Sequence, residues 1–336
     1  MLTKPPISDH MIIACLHDHY GLRISQVTFL PIGADINSAV YRVHGVDGRP
    51  YFLKLRQGDF DEIAVTVPAF LRSQGIRRVM APLATPTHRL WVSAHGFDWM
   101  LYPFVEGNNG FEVALSNAQW IALGETVKAI HTTALPVELD RRVPREDYSP
   151  RWRNMVKVFD QQVENGACLD PIAGRFAAWW LTKRAEIQTI IERAERLGQA
   201  LQNRAGEFVV CHADLHAWNV MLGTGDDLYI VDWDNPIMAP RERDLMFVGG
   251  GVGGIWNNPE EAALFYGGYG PIRIDPVAIA YYRYERIVAD IAAYSQEIFG
   301  VQGSVEDREE GLKQLMGQFV PNTVVDIAHR SYSLVP

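Results

Sequence analysis

The segment from Phe208 to Asp234 constrains the fold more than any other part of this sequence. It reads FVVCHADLHAWNVMLGTGDDLYIVDWD, in which short apolar runs alternate with turns rich in Gly and Asp. Four polar residues stand at the ends of these runs: His212, Asp214, Asn219 and Asp232. The pattern predicts a strand–loop–strand–turn–strand unit that delivers Asp232 beside Asp214 and Asn219.

Composition limits the class of protein. The chain has 336 residues, which is long enough for about two domains. Of these residues 48% are apolar and 21% are charged, and this composition excludes a disordered chain, a collagen or a coiled coil. A net charge of −9 argues against a nucleic-acid partner. Cys15, Cys168 and Cys211 are too widely spaced for a disulfide framework or a thiolate zinc site. The sequence shows neither a signal peptide nor an apolar run of about 18 residues, which predicts a cytoplasmic protein without a membrane partner.

The chain changes character after about one hundred residues. The first part, residues 1–103, is predicted to be a small β-rich lobe, and residues 104–336 a larger α-rich lobe, which makes an α+β fold with a ligand cleft between the lobes. Helices are predicted over residues 8–20, 61–73, 117–131, 171–201 and 276–299, and strands over 26–31, 39–44, 51–55, 90–93, 99–104, 208–211, 219–222 and 228–231.

The residue types in the constrained segment suit phosphoryl transfer. The step of five from Asp214 to Asn219, after a His-x-Asp start, is that of a kinase catalytic loop. Asn219 and Asp232 offer the hard oxygen ligands that Mg²⁺ prefers, and Asp214 suits an acid that orients a hydroxyl and accepts its proton. Lys54, on a predicted strand, is the candidate cation for the phosphates of ATP or GTP. The turn at Gly33, Asn37 and Ser38 is the candidate phosphate cover.

The acceptor is expected to be a small molecule. Ala213 stands where protein kinases carry an Arg that reads a phosphorylated activation loop, and Asp244 follows Asp232 by only twelve positions. The two prolines in that interval, Pro236 and Pro240, predict a tight turn. The sequence therefore has no room for an activation loop that would hold a peptide.

Two segments, HADLHAWN and IVDWD, resemble the aminoglycoside phosphotransferase and choline-kinase superfamily, which has the protein-kinase-like two-lobe fold. Further segments resemble the spectinomycin (9-hydroxyl) phosphotransferase class of that superfamily. They are GADINSAVYRV, YFLKLRQGDFDEI, YPFVEGNNGF, YSPRWR, APRERDLMFVGGGVGGIWNNPEE, FYGGYG and YYRYERIVADIAAY. Together they span almost the whole chain. The resemblance implies transfer of the γ-phosphate of ATP or GTP to a hydroxyl of a small cationic substrate.

The resemblance also assigns residues. It makes Asp214 the catalytic acid, Asn219 and Asp232 the Mg²⁺ ligands, and Lys54 the phosphate-binding lysine. It places the adenine-contacting hinge at Leu101, Tyr102 and Phe104. Glu62 is the candidate for the helix glutamate that pairs with the lysine in kinases, and Asp244 resembles the buried acid that braces the catalytic loop.

A cationic aminocyclitol requires carboxylates and aromatic side chains in its pocket. The candidates are Asp234, Glu285 and Asp290, with Trp256 and Tyr266 as an apolar wall. The alternative for Glu285 is a surface ion pair with Arg286 or Arg283.

Two alternatives for function remain at this point. One keeps the kinase chemistry but changes the acceptor to choline, a sugar or a homoserine-like metabolite. The other is a catalytically silent kinase-like binding module, against which the presence of Lys54, Asp214, Asn219 and Asp232 argues. A G-x-G-x-x-G pattern at Gly249 does not follow a predicted strand, so it does not indicate a dinucleotide site.

Overall fold

A computed structural model of the chain describes residues 4–33, 37–166, 170–204, 206–300 and 304–336. Cys168 and residues 34–36 of the predicted phosphate-covering turn lie outside these ranges.

The secondary structure follows the predicted change from strands to helices. The described strands are β1 (Ile24–Leu30), β2 (Ser38–Gly45), β3 (Pro50–Arg56), β4 (Val92–Ala94), β5 (Phe97–Pro103), β6 (Asn108–Asn109), β7 (Val209–Cys211), β8 (Val220–Leu222), β9 (Leu228–Ile230) and β10 (Ile237–Ala239). The described helices are α1 (Asp9–Tyr20), α2 (Ile63–Ser73), α3 (Asn117–Thr132), α4 (Val137–Asp140), α5 (Arg151–Glu164), α6 (Pro171–Gln202), α7 (Glu242–Leu245), α8 (Pro259–Tyr269), α9 (Pro276–Phe299), α10 (Val305–Gly317) and α11 (Val324–Tyr332). Short 3-10 turns lie at Ala217–Asn219 and Val252–Gly254.

The chain forms two compact units. The first combines Met1–Val143 with Trp218–Pro236, and the second combines Pro144–Ala217 with Ile237–Pro336. The predicted boundary after residue 103 falls inside the first unit. The reason is that β6 pairs with β8 and α3 packs on β9, so that the residues beyond β5 associate with the β8–β9 hairpin, which belongs to the same unit as the N-terminal sheet.

An antiparallel sheet of order β1-β2-β3-β5-β4 forms the core of the first unit. Along β3 the side chains alternate, so Leu53 and Leu55 are buried with α1 while Lys54 lies on the other face. Burial of each such leucine contributes about 1.5–3 kcal/mol. The strand register sets Lys54 opposite Val40 on β2 and Met100 on β5. The apolar alternation of β3 thus fixes the face on which the lysine projects.

The β8–β9 hairpin positions two of the predicted site residues. Val220 pairs with Ile230, and the N–H of Val231 donates to the carbonyl oxygen of Asn219 at 3.0 Å, which extends the ladder by one step. Ile230 also exchanges backbone hydrogen bonds with residues 78 and 80, at 2.7 and 2.9 Å. Asn219 and Asp232 therefore lie at the same, open end of a hairpin that is fixed within the first unit.

The second unit is organised around α9. This helix begins after Asp275, whose carboxylate accepts from the N–H of Val277, and it packs against α5, α6, α7, α10 and α11. Its buried face is rich in tyrosine, and Tyr281, Tyr282 and Tyr284 are almost fully buried. Because α9 is central, the charged residues that it carries are held in place by five neighbouring helices.

The glycine-rich segment after α7 does not form a dinucleotide-binding turn. It follows a helix and leads into the 3-10 turn at Val252–Gly254, and Gly251 has a φ of +71°. A Cβ at Gly251 would lie 2.4 Å from Cδ1 of Ile327, and the positive φ of this residue disfavours any other side chain. Among the described helices, none combines the length and the apolar character that a membrane span requires.

Candidate active site

Lys54 is bound by two aspartates within the first unit. Its Nζ lies 2.7 and 2.6 Å from the two carboxylate oxygens of Asp234 and 3.2 Å from Oδ1 of Asp232. Arg56, two residues along the same face of β3, approaches Asp234 at 3.4 Å. Burial alone would lower the pKa of Lys54, but the charges of Asp232 and Asp234 raise it above its usual value. The lysine is therefore a fixed cation next to the predicted metal ligands.

The structure pairs Asp234 with Lys54, and a contact of Asp234 with the acceptor stays a prediction. This residue was expected in the acceptor pocket, but its side chain is 24% exposed and both oxygens contact Lys54. The reason is the position of Asp234 just beyond β9, in the unit that also carries β3. Sequence spacing indicated the nearness of Asp234 to Asp232 and did not reveal its pairing with a lysine 180 residues away.

Glu62 does not occupy the position of the kinase helix glutamate. It stands immediately before α2, and its carboxylate accepts from the guanidinium of Arg142. It follows Lys54 by only eight positions, so it lies at the start of the helix rather than along it. The predicted partnership with Lys54 is wrong in this structure, where Asp234 takes that place.

Asn219 and Asp232 form a donor set suited to a hard divalent cation. Asn219 is buried, whereas the side chain of Asp232 is 50% exposed. The backbone of Asp232 has a φ of +63°. A non-glycine residue in the left-handed region costs about 1 kcal/mol or more, and such strain is concentrated at functional positions. An amide and a carboxylate oxygen at one hairpin end are ligands of the kind that Mg²⁺ prefers, so these residues fit the ion.

The catalytic-loop backbone is braced by a buried acid in the second unit. Oxygens of Asp244, which is 1% exposed, accept from the backbone N–H groups of His212 and Ala213 at 2.9 and 2.7 Å. Ala213 has a φ of +71°, and the N–H of Asp214 donates to Nδ1 of His212 at 3.2 Å. These bonds hold a strained turn directly before Asp214, which agrees with the brace expected of Asp244.

The side chain of Asp214 contacts His216 and Arg286 of the second unit. Nε2 of His216 lies 3.3 Å from Oδ2, and the guanidinium of Arg286 donates to Oδ1. Burial would raise the pKa of Asp214, but the contacts with His216 and Arg286 lower it well below its usual value. The carboxylate is therefore ionised, and its role toward an acceptor hydroxyl stays a prediction. The sequence did not reveal the role of Arg286; its spacing of four from Asp290 on a helix was the available signal.

The predicted nucleotide-contacting residues all belong to the first unit. The carbonyl of Leu101 accepts from the N–H of Leu83 at 2.7 Å, so that oxygen is used within the unit. Tyr102 pairs with Phe52 at the end of β5, and Phe104 lies 4.4 Å from the guanidinium of Arg42. Their contact with adenine stays a prediction.

The two described ends of the predicted phosphate-covering turn are Gly33, which follows β1, and the segment of Asn37 and Ser38 at the start of β2. Gly33 has a φ of +96°, and the carbonyl of Asn37 accepts from the N–H of Gln57 at 2.9 Å. Ser38 is buried as the first residue of β2. A role of Gly33, Asn37 and Ser38 at the phosphates also stays a prediction.

Among the predicted acceptor residues, Glu285 has an ion-pair partner that the sequence did not indicate. It is buried and bound to Arg153 of α5, so the surface pair with Arg286 or Arg283 is wrong. Burial raises the pKa of Glu285 to about 7, although Arg153 acts to lower it. A buried carboxylate that already neutralises an arginine cannot bind a substrate ammonium without leaving that arginine unpaired.

The other acceptor candidates lie elsewhere in the second unit. Asp290 lines a small cavity of about 40 Å³, together with Arg286 and Gln318. Trp256 is buried, and Tyr266 of α8 is half-buried. Their contact with an acceptor stays a prediction.

Comparison with known proteins identifies the family. The family model described as the phosphotransferase enzyme family matches residues 28–282, and the chain belongs to that family. It is an aminoglycoside-type phosphotransferase with a kinase-like fold, which confirms the fold and the enzyme class expected from the sequence. A search among curated proteins found no match.

Solved structures include two close relatives. The crystal structure of spectinomycin phosphotransferase APH(9)-Ia in complex with ADP and spectinomycin is 37% identical, with 98% of this chain and 100% of that chain covered and a TM-score of 0.93. The AMP-bound complex of spectinomycin phosphotransferase is 36% identical, with coverages of 96% and 99% and a TM-score of 0.88. An ethanolamine kinase from Plasmodium vivax, at 16% identity, coverages of 98% and 93% and a TM-score of 0.58, shares the fold.

Proposed function

We propose that this enzyme transfers the γ-phosphoryl group of ATP or GTP to a hydroxyl of spectinomycin or a close aminocyclitol. The observation that supports this most is the full-length similarity to a spectinomycin phosphotransferase whose structure contains ADP and spectinomycin. The intact set of Lys54, Asp214, Asn219 and Asp232 supports the chemistry. The role is that of an enzyme that inactivates a cationic antibiotic in the cytoplasm.

In the proposed reaction, Asp214 orients the acceptor hydroxyl and takes its proton as the new oxygen–phosphorus bond forms. The bond between the γ-phosphorus and the bridging oxygen breaks, and the nucleoside diphosphate leaves with that electron pair. Lys54 would hold the phosphates, and Asn219 and Asp232 would hold Mg²⁺. When bound, Mg²⁺ neutralises charge that develops on the phosphate oxygens.

The pairing of Lys54 with Asp234 leads to a prediction about nucleotide affinity. We expect Asp234→Asn to raise the KM for ATP by about 10- to 150-fold, because loss of one charge-assisted contact costs about 1.5–3 kcal/mol and leaves the lysine less well oriented. The measurement is steady-state kinetics with ATP varied at saturating acceptor. Asp226→Asn, a change at an aspartate that accepts from Ser116 within the same unit, is the control. Equal KM values for ATP in Asp234→Asn and the wild type would contradict the proposal that Asp234 orients Lys54 for the phosphates.

A panel of acceptors tests the proposed substrate. The purified enzyme is incubated with MgATP or MgGTP and with spectinomycin, choline, a hexose or homoserine, and products are identified by mass and by ³¹P NMR. We expect one phosphoryl group on spectinomycin and a strong preference over the other alcohols. Phosphorylation of another alcohol with spectinomycin inert would replace the substrate but keep the reaction. The absence of nucleotide turnover with every acceptor would refute the proposal.

A further inference from the structure

Arg286 of α9 bridges two carboxylates in the second unit. One terminal nitrogen donates to Oδ1 of Asp214, and Nε donates to Oδ1 of Asp290 at 3.0 Å. The guanidinium also lies over the ring of Phe247, with 5.7 Å between its central carbon and the ring centroid. The side chain is 25% exposed. A planar group with contacts along two edges and one face has little freedom to rotate.

The second carboxylate is itself held in place. The other oxygen of Asp290 accepts from Nε2 of Gln318 at 2.8 Å. A continuous chain of hydrogen bonds therefore runs from Gln318 through Asp290 and Arg286 to Asp214. Asp290 lies one turn along α9 from Arg286, so the central helix of the unit carries both members that support the catalytic carboxylate.

We propose that Arg286 is a positioning residue that fixes the side chain of Asp214 for in-line attack, and that Asp290 holds Arg286 for this purpose. The inference rests on the proposed role of Asp214. Asp244 binds the backbone before Asp214. Arg286 and His216 instead contact the two carboxylate oxygens of Asp214. Arg286 thus controls the torsion about the side chain, which the backbone brace does not.

The geometry requires an arginine. One nitrogen must reach Asp214 while another reaches Asp290, and only a fork of fixed donors does both. A lysine at this position supplies one point charge, which keeps attraction to Asp214 but does not define its orientation. Replacement by methionine removes both contacts and keeps most of the apolar stem that packs on Phe247.

Kinetics of Arg286→Met and Arg286→Lys test this role. We expect Arg286→Met to lower kcat about 10- to 100-fold at saturating substrates, since a misplacement of about 1 Å at the reacting group costs up to about 100-fold. The KM for ATP is expected to stay within about 2-fold of the wild type. Arg286→Lys is expected to recover part of the lost kcat. This split between kcat and the KM for ATP is not expected from a merely structural ion pair.

Arg184→Met is the matched control. Arg184, on α6, also bridges two carboxylates, those of Asp160 and Glu164, and its side chain is 31% exposed. The variant Arg184→Met is expected to change Tm as much as Arg286→Met does and to leave kcat unchanged. A kcat of Arg286→Met within 2-fold of the wild type would overturn the inference, as would an equal loss in Arg184→Met. If Arg286→Met does not fold, the kcat of Arg286→Lys alone tests the inference. A wild-type kcat in Arg286→Lys would then refute the positioning role of Arg286.

A further variant separates this inference from the proposed function. If Asp214→Asn retains wild-type turnover, the role of Asp214 fails and Arg286 has no catalytic acid to position. If Asp214→Asn is inactive and both Arg286 variants are fully active, the proposed function stands and the inference about Arg286 is wrong.

Discussion

Asp214→Asn is expected to lower kcat for phosphoryl transfer by about 10²- to 10⁴-fold, the usual contribution of a positioned acid–base group. The amide keeps the size of the side chain and removes the negative charge that orients the hydroxyl and receives its proton. Lys54, Asn219 and Asp232 are unchanged, so the affinity for nucleotide is expected to stay close to that of the wild type. Product formation with spectinomycin gives kcat, and titration with a fluorescent nucleotide gives the dissociation constant.

Asp47→Asn serves as a control for this experiment. Asp47 lies in the turn between β2 and β3, where its side chain is 53% exposed and its ion-pair contact is with Arg49. Its replacement is expected to leave kcat unchanged, because exposed pairs of this type contribute little. Retention of kcat within 10-fold in Asp214→Asn would exclude Asp214 as the catalytic acid.

The second large effect is expected on stability. Arg153→Met should lower the free energy of unfolding by about 3–5 kcal/mol, because it leaves Glu285 buried without its cation. The two side chains are 4% and 9% exposed, and Arg153 also donates to the carbonyl of Tyr148 at 2.9 Å. Denaturant titration followed by circular dichroism measures the loss, and Tm provides a second measure.

A double variant and a control on the same helix make the stability test specific. Arg153→Met combined with Glu285→Met is expected to recover much of the lost stability, since a buried pair replaced by apolar groups costs little or nothing. Lys157→Met, which removes an exposed pair with Glu195 from α5, is expected to change stability by less than about 1 kcal/mol. A single variant as stable as the wild type, or a double variant no better than the single, would contradict the importance of this pair.

The elements with strong local signals were predictable. The helix predicted over residues 276–299 is observed with the same bounds, since Asp275 caps a long periodic segment that begins with Pro276. Ser8 caps α1 and Gly21 ends it in the left-handed conformation, as expected. Helices α5, α8, α10 and α11 were not predicted. In α8, glycine and aromatic residues weaken the periodic pattern, and the helix is stabilised by burial of Phe265 and Tyr269.

Ion-pair partners were the least predictable feature of the candidate site. Glu62 was expected to pair with Lys54, but it contacts Arg142. Asp234 was expected at the acceptor, and it contacts Lys54. Glu285 was expected at the acceptor or in a surface ion pair, and it contacts Arg153. Each of these contacts joins residues at least 80 positions apart in the chain. Charged side chains have no periodicity that identifies a distant partner, and the choice among several nearby arginines depends on packing.

The sequence by itself indicated the proposed chemistry, because phosphoryl transfer requires a cation, an acid and two oxygen ligands, and Lys54, Asp214, Asn219 and Asp232 stand in that order on elements with clear local signals. The tertiary structure alone decided which side chains hold those groups in place. Asp234 orients Lys54, and Arg286 contacts Asp214, because a β-hairpin packs within the sheet unit and α9 runs through the centre of the helical unit. Local propensity acts over a few residues, whereas the pairing of charges depends on which distant segments share a buried surface.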